Sequence, residues 1–468
     1  MNDLNDSETM FASDGYQFHH RRTESRNDTS GSKTPLSPAT LRIHVANNHF
    51  GFALAIIAFT LAAALTPARA AETLTLEHAE KLFLDRNREI QFARRAVESS
   101  EADVLSASAA PNPELSIGSS RISPSVGIGT GPLSQKRMDT VIGISQIFER
   151  GNKRGLRTEA AQFSAVAARH DESDILRQQR QGLYFAYYDL LLAQERLKIA
   201  ETTAELFEKS VTAAERRFSA GDIAATDLSR IRVDALRARN DARSAKADLQ
   251  RNQFGLAYLI GAEQDAGGII AADNWPTANS NAAVGDADTE RVLERRADIR
   301  AAKERVKAAE KNRDLARSLL TRDVTAGVMY ERFPGDTANN SYGVSLSVPL
   351  FTRNLYTGEI RRAEIELESA RENVDRVRAL AMGEIRRADN DLAAAAERTA
   401  RLTTVLLPAA EKAAKGAEFA YERGAIGIMD LLDSRRQFYA VRIESVSAQA
   451  DYAKALAAKR SATAITSD

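Results

Sequence analysis

The sequence predicts a mainly α-helical chain with a small transmembrane β part, built as a tandem duplication of one long-helix unit, and three observations lead there. The first is an echo. RRFSAGDIAATDLSR (216–230) returns as YERGAIGIMDLLDSR (421–435), each with an aromatic residue, a Gly three residues later and Asp-Leu six residues beyond that Gly. Gly221 and Gly424, Phe148 and Phe351, and Gly155 and Gly358 are all spaced by 203 residues, a constancy that isolated glycine matches do not produce. The second is composition: the 468 residues hold only 11 Pro and 1 Trp, are 27% charged, and contain no Pro between Pro132 and Pro276. Such a balance belongs to long helices. The third is a change of hydrophobic period from helical to two at the middle of each copy.

The elements follow in chain order. Residues 51–65, GFALAIIAFTLAAAL, are apolar but shorter than the roughly 20 residues of a membrane-spanning helix. Thr66-Pro67-Ala68-Arg69-Ala70 follows as a small-residue cleavage signal, so 1–70 reads as an upstream extension plus a secretory signal peptide cut after Ala70. The first repeat spans 71–261: a helix over 76–109, a β-hairpin within 113–148, a long helix over 150–218, a tip turn at 217–226 and a returning helix. At about 1.5 Å per residue the long helix reaches roughly 100 Å. A linker, 262–288, leads to the second repeat, 289–466, with a hairpin within 322–351 and a tip turn at 421–428. Asn87-Arg88-Glu89-Ile90 matches Arg296-Ala297-Asp298-Ile299 at a spacing of 209 rather than 203, so the copies differ in a loop before Phe148 and Phe351.

Along the second long helix a seam runs Ile360, Ala363, Leu367, Ala370, Val374, Val377, Ala381, Ile385, Ala388, Leu392, Ala395. Its steps of three and four contain one extra four, a stutter that locally unwinds a left-handed supercoil. Small seam residues permit close axes to two flanking helices; a two-stranded coiled coil is the simpler alternative. Pro408 predicts a bend or break in the returning helix of the second copy.

In SYGVSLSVPL (341–350), Tyr342, Val344, Leu346, Val348 and Leu350 fall on one face and Ser341, Gly343, Ser345 and Ser347 on the other. Val324, Ala326, Val328 and Tyr330 alternate likewise, and ELSIGSS (114–120) and TVIGISQIF (140–148) do so more weakly. Strands of about 9 to 11 residues are long enough to cross a bilayer when tilted. Four strands per chain leave open edges, which lipid does not tolerate, so several chains must share one barrel. A soluble hairpin sandwich is the competing arrangement.

The repeated phrase sits at the far end of each long helix. Gly221 and Gly424 suit a left-handed helix C-cap. Asp227 opens the returning helix of the first copy, where it serves equally as a partner of the helix dipole. Asp430 and Asp433, three apart, lie on one helical face and would stack as two acidic rings in a rotationally symmetric assembly.

ISQIFERGNKR (144–154), RRFSAGDIAATDL (216–228), SVPLFTRN (347–354) and YERGAIGIMDLLDSRR (421–436), with the leader and the two-fold layout, resemble the TolC family of outer-membrane efflux ducts across nearly all of 74–464. The resemblance implies a homotrimer in the bacterial outer membrane, with a shared 12-stranded β-barrel surrounded by lipid and a trimeric α-barrel in the periplasm. It also implies two partners, a periplasmic adaptor and an inner-membrane pump of the resistance-nodulation-division type. Carried over, Thr226, Asp227 and Tyr421 take tip-gate positions, and Asp430 and Asp433 take a D-x-x-D constriction that resembles a cation-selective ring. One departure stands out: Ile426 occupies the position of a gate-locking Arg, which leaves Arg423 or apolar packing to hold the tip. Residues 86–117 look like the branch serving cobalt, zinc and cadmium efflux. Ducts for drugs or for type I protein secretion, and a secreted coiled-coil scaffold, stay open as alternatives.

Composition also excludes classes of function. Formal net charge is zero, which provides no general basic field for nucleic acid. Cysteine is absent and, beyond residue 70, His occurs only at 78 and 170, so no high-affinity transition-metal site and no cofactor is expected. SVGIGTG (125–131) imitates a nucleotide loop without its Lys or its βαβ setting and reads as an external hairpin loop. No catalytic constellation stands apart from the charged helical faces, so the chain is not expected to be an enzyme.

Overall fold

The computed structural model describes residues 72–463 except 123, 126, 133–134, 278–285 and 334–338; the leader and extension expected at 1–70 lie outside the described residues. The first copy runs β1 (Glu72–Leu74), α1 (Leu76–Arg86), α2 (Arg88–Ser108), β2 (Glu114–Ser120), β3 (Asp139–Phe148), α3 (Lys153–Ser219) and α4 (Ala225–Ile260). After β4 (Ile269–Ala271) the second runs α5 (Asp286–Arg295), α6 (Ala297–Ser318), β5 (Val324–Phe333), β6 (Asn339–Ser347), α7 (Thr357–Arg401), a π-helical turn (Leu402–Leu406), α8 (Leu407–Glu422) and α9 (Ile428–Thr463).

The single helix expected over 76–109 is two. Asn87 takes an extended conformation (φ −62°, ψ 127°) and its side-chain oxygen accepts the Ile90 N–H at 3.1 Å, capping α2 as a new helix. In the second copy Arg296 breaks α5 from α6 with nearly the same angles (φ −64°, ψ 137°), 209 residues on. The duplication is thus written in backbone geometry as well as in sequence.

The two hairpins join. β3 pairs with β5, giving one antiparallel sheet in the order β2-β3-β5-β6, with an open edge on β2 and another on β6. In cross-strand register one row reads Leu115, Ile144, Val328, Val344 and the next Ile117, Ile142, Tyr330, Tyr342. All but Tyr330 of these eight residues are exposed; Val344 is 86% exposed. The reverse face carries Ser116, Gly143, Met329 and Gly343 in one row and Ser145, Gly327 and Ser345 in another. β2 has seven residues rather than nine to eleven, because Arg121 turns into the left-handed region (φ 57°) and ties back to Asp139 at 3.1 Å.

The linker is not simple. β4 within it pairs in parallel with β1, and Tyr187 of α3 donates from its hydroxyl to Asp273 at 2.6 Å. This sheet closes the largest apolar cluster, including Phe83, Leu183, Leu190, Leu256 and Ile260. Beside a second cluster (Leu293, Ile299, Ile385), Arg296, only 2% exposed, donates to the Ala462 carbonyl at 2.9 Å and meets Glu384 at 2.7 Å. Arg177 reaches the same carboxylate at 3.0 Å and the Ser461 hydroxyl at 3.2 Å, so two buried guanidiniums from different copies hold the end of α9.

The α7 seam is buried at Ala363, Leu367, Ala381, Ile385, Ala388 and Leu392 but continues through Ala396, not Ala395. It then runs through Thr399, whose hydroxyl donates to the Ala448 carbonyl at 2.9 Å, to Leu402. Pro408 lies in the outgoing helix of the second copy, not in the returning one, and it does not break the helix. Leu407 N–H donates to Leu402 O five residues back, and this wider turn makes room for a ring that would crowd the preceding turn.

Candidate functional site: the helical tip

Both long helices end in the same device. Gly221 (φ 81°) follows α3, with Gly221 N–H donating to Phe218 O at 2.9 Å and Asp222 N–H to Arg217 O at 2.9 Å. Gly424 (φ 72°) follows α8, with Gly424 N–H donating to Tyr421 O at 2.9 Å and Ala425 N–H to Ala420 O at 2.8 Å. Each is a Schellman stop, which needs a residue free to adopt positive φ. Ile223 and Ile426, also 203 apart, are both half-buried, and Ile223 packs on the tip core of Phe207, Ala214, Leu228, Ile231, Ile428 and Leu432.

The residues expected to gate the tip do not meet within one chain. Thr226 is exposed in the first turn of α4, and Asp227, half-buried beside it, enters no ion pair among the described residues. Tyr421 instead binds α3: its hydroxyl accepts from Arg217 Nη1 at 2.8 Å, with the guanidinium 5.8 Å from the ring centre. Arg423 does not take up Asp227 in the chain; it lies 4.8 Å over the Phe419 ring. Arg217 escaped the sequence reading, since a basic last turn reads simply as dipole balance.

Asp430 has a local task. Its Oδ2 accepts the Gly427 N–H at 3.3 Å, the returning half of a capping box that starts α9. Asp433, 60% exposed at its side chain, accepts from Gln437 at 3.0 Å and faces Arg436 at 3.5 Å. Arg436 also bridges to Asp234 of α4 at 2.9 Å, and Arg435 pairs with Glu418 of α8. Asp234, Asp430, Asp433 and Arg436 line a groove of about 640 Å³ between α4 and α9. Arg230 and Arg237 line it too, so three arginines meet three carboxylates and the groove of one chain is formally neutral. Among the described residues no group of three or more His, Cys, Asp or Glu is placed to hold a metal, and no helix is long and apolar enough to cross a membrane.

The chain is 26% identical over 389 residues to the cobalt-zinc-cadmium resistance protein CzcC of Cupriavidus metallidurans, covering 81% of this chain and 87% of that protein. Its fold is similar to the CmeC outer membrane channel of Campylobacter jejuni, with a TM-score of 0.70 at 16% identity over 84% of this chain and 87% of that one. It is similar also to the outer membrane protein VceC of Vibrio cholerae, with a TM-score of 0.67 at 18% identity over 83% and 95%. The model of the outer membrane efflux protein family matches residues 81–262 and 289–464, one match to each copy of the repeat. The chain therefore belongs to the outer membrane efflux protein family, and is a channel of the bacterial outer membrane with its helices in the periplasm rather than an enzyme.

Proposed function

We propose that three copies pool their strands into a 12-stranded barrel and their helices into a periplasmic duct, through which heavy-metal cations pass outward without being bound. The observation carrying this is the four-stranded sheet: its apolar rows are exposed and its two edges are unpaired. Lipid admits a sheet only when it is closed, and one chain is too narrow to close. The likeness to the cobalt-zinc-cadmium resistance protein CzcC supports divalent metal cations as cargo; in this reading a periplasmic adaptor and a resistance-nodulation-division pump deliver them. At the tip, Thr226, Asp227 and Tyr421 gate the duct, Gly221 and Gly424 set its turns, and Asp430 with Asp433 forms the constriction that favours cations.

The lack of cysteine makes the test clean. Ser116→Cys on the β2 edge is combined in turn with Ser341→Cys, Gly343→Cys and Ser345→Cys on the β6 edge, then oxidised in membranes. One register should give covalent trimers on a denaturing gel. Monomers alone at every register, from protein that fractionates with the membrane, would refute the shared barrel. Loss of the gene should sensitise cells to cobalt, zinc or cadmium; sensitivity to dyes and detergents alone would reassign the cargo.

A further inference from the structure

At the end of the sheet where the helices begin, basic and apolar side chains are interleaved in a way the conduit does not require. β3 ends at Phe148 opposite Val324, the first residue of β5, and β6 ends at Ser347 opposite Thr325, so the segments around 150, 322 and 350 gather at one end. The acids there are taken: Asp323 accepts from Lys153 at 2.8 Å and from the Arg150 N–H at 2.9 Å, and Glu149 accepts from Arg157 at 2.9 Å. Arg150, Arg154, Arg322 and Arg353 remain, all exposed and none in an ion pair among the described residues. Arg322 lies over the Phe351 ring at 5.3 Å, and that ring in turn packs edge-on against Tyr356. Glu114, which opens β2, and Glu359, in the first turn of α7, are both exposed acids left over against the four arginines, so the belt is net positive.

The same belt exposes Phe148, Leu320, Leu350 and Leu355, continuous with the apolar rows of the sheet above it. Guanidiniums are planar donors that match phosphate oxygens, and their stems lie along apolar surface while the charge stays in the interface. A partner that satisfies both halves of the belt must carry phosphate and acyl chain together. We propose that Arg150, Arg154, Arg322 and Arg353 form a binding belt for the headgroups of anionic phospholipids in the leaflet on the helical side of the membrane. This rests on the reading that the exposed face of the sheet meets lipid.

The experiment uses the full-length protein in vesicles of phosphatidylcholine alone or of equimolar phosphatidylcholine and phosphatidylglycerol. Retained lipid is counted by native mass spectrometry after extraction in mild detergent. Wild type is expected to retain phosphatidylglycerol in preference to phosphatidylcholine. Each cation near a membrane surface adds about fivefold to anionic-lipid affinity, so Arg322→Gln with Arg353→Gln should lower that retention by roughly tenfold or more, and Arg322→Lys with Arg353→Lys should restore most of it. Equal retention in the Gln variant would overturn the proposal, as would displacement of the lipid by inorganic phosphate. Wild type that inserts into neither vesicle would defeat the lipid-facing sheet itself; a Gln variant that still inserts but has lost its preference leaves that reading intact and supports the belt.

Discussion

Val344→Arg probes the outward face of the sheet where the structure is least forgiving. Val344 stands near the middle of β6, opposite Val328, at the end of a row with Ile144 and Leu115. Nothing among the described residues covers it, so an arginine there would be harmless to an isolated soluble sheet. In a bilayer an arginine near the midplane costs about 2–4 kcal/mol. Three copies in one barrel raise the cost to roughly 6–12 kcal/mol, which rivals the whole stability of an ordinary domain at ~5–15 kcal/mol. Ser345→Arg moves the same charge one residue along, onto the face shared with Gly327, and should be tolerated. The assay is membrane fractionation followed by gel electrophoresis with and without heating. Val344→Arg should abolish the heat-modifiable oligomer and Ser345→Arg should keep it. Equal assembly of the two, in either direction, would refute the assignment of faces.

Asp430→Asn with Asp433→Asn keeps acceptors for the Gly427 N–H and the Gln437 amide while removing charge, and single channels of this variant should lose cation selectivity; unchanged reversal potentials would remove the pair from the constriction. Arg296→Ala strips a buried guanidinium from Glu384, Asp298 and the Ala462 carbonyl, and should cost about 3–5 kcal/mol in denaturant unfolding; a cost below 1 kcal/mol, on the order of a surface pair, would show that the cluster is not holding α9. Tyr421→Phe removes the acceptor for Arg217 and should loosen the tip by about 1 kcal/mol, read as more frequent openings, while Arg217→Lys, made with Tyr421 intact so that a donor still reaches the hydroxyl, should keep part of the closed time. Burial alone would raise the Asp323 carboxyl, but the Lys153 hydrogen bond, the Arg150 amide and the two charges together hold it below the usual range. Its folded pKa is thus lower than its unfolded one, so its contribution is present at neutral pH and fades as pH falls through the folded value. Asp323→Asn should flatten the acid limb of unfolding; an unaltered limb would mean the Lys153 pair contributes nothing.

The large features were legible in the sequence because they repeat or alternate. The spacing of 203 located both Schellman stops, since only a residue free at positive φ ends a helix that way, and period two located all four strands. What escaped depended on contacts between distant segments. Asn87 was visible as part of a matched quartet, yet its role as a cap needed the extended backbone that splits α1 from α2. β4 is three residues long and acquires meaning only from β1, nearly 200 residues earlier. Arg217, Asp234 and Arg436 are ordinary surface residues until folding brings α3, α4, α8 and α9 together. The cap that Asp430 makes on the Gly427 N–H shows why a motif alone understates a residue's duties.

The π-helical turn at 402–406 alters what the duplication means. Residues 199–203, its counterparts in the first copy, lie inside regular α3, although the spacing of 203 holds on both sides. A wider turn spends more residues going round, so everything after it is swivelled about its own axis relative to its twin. Two copies of one unit, stopped by the same turn, are therefore free to present different side chains to their surroundings.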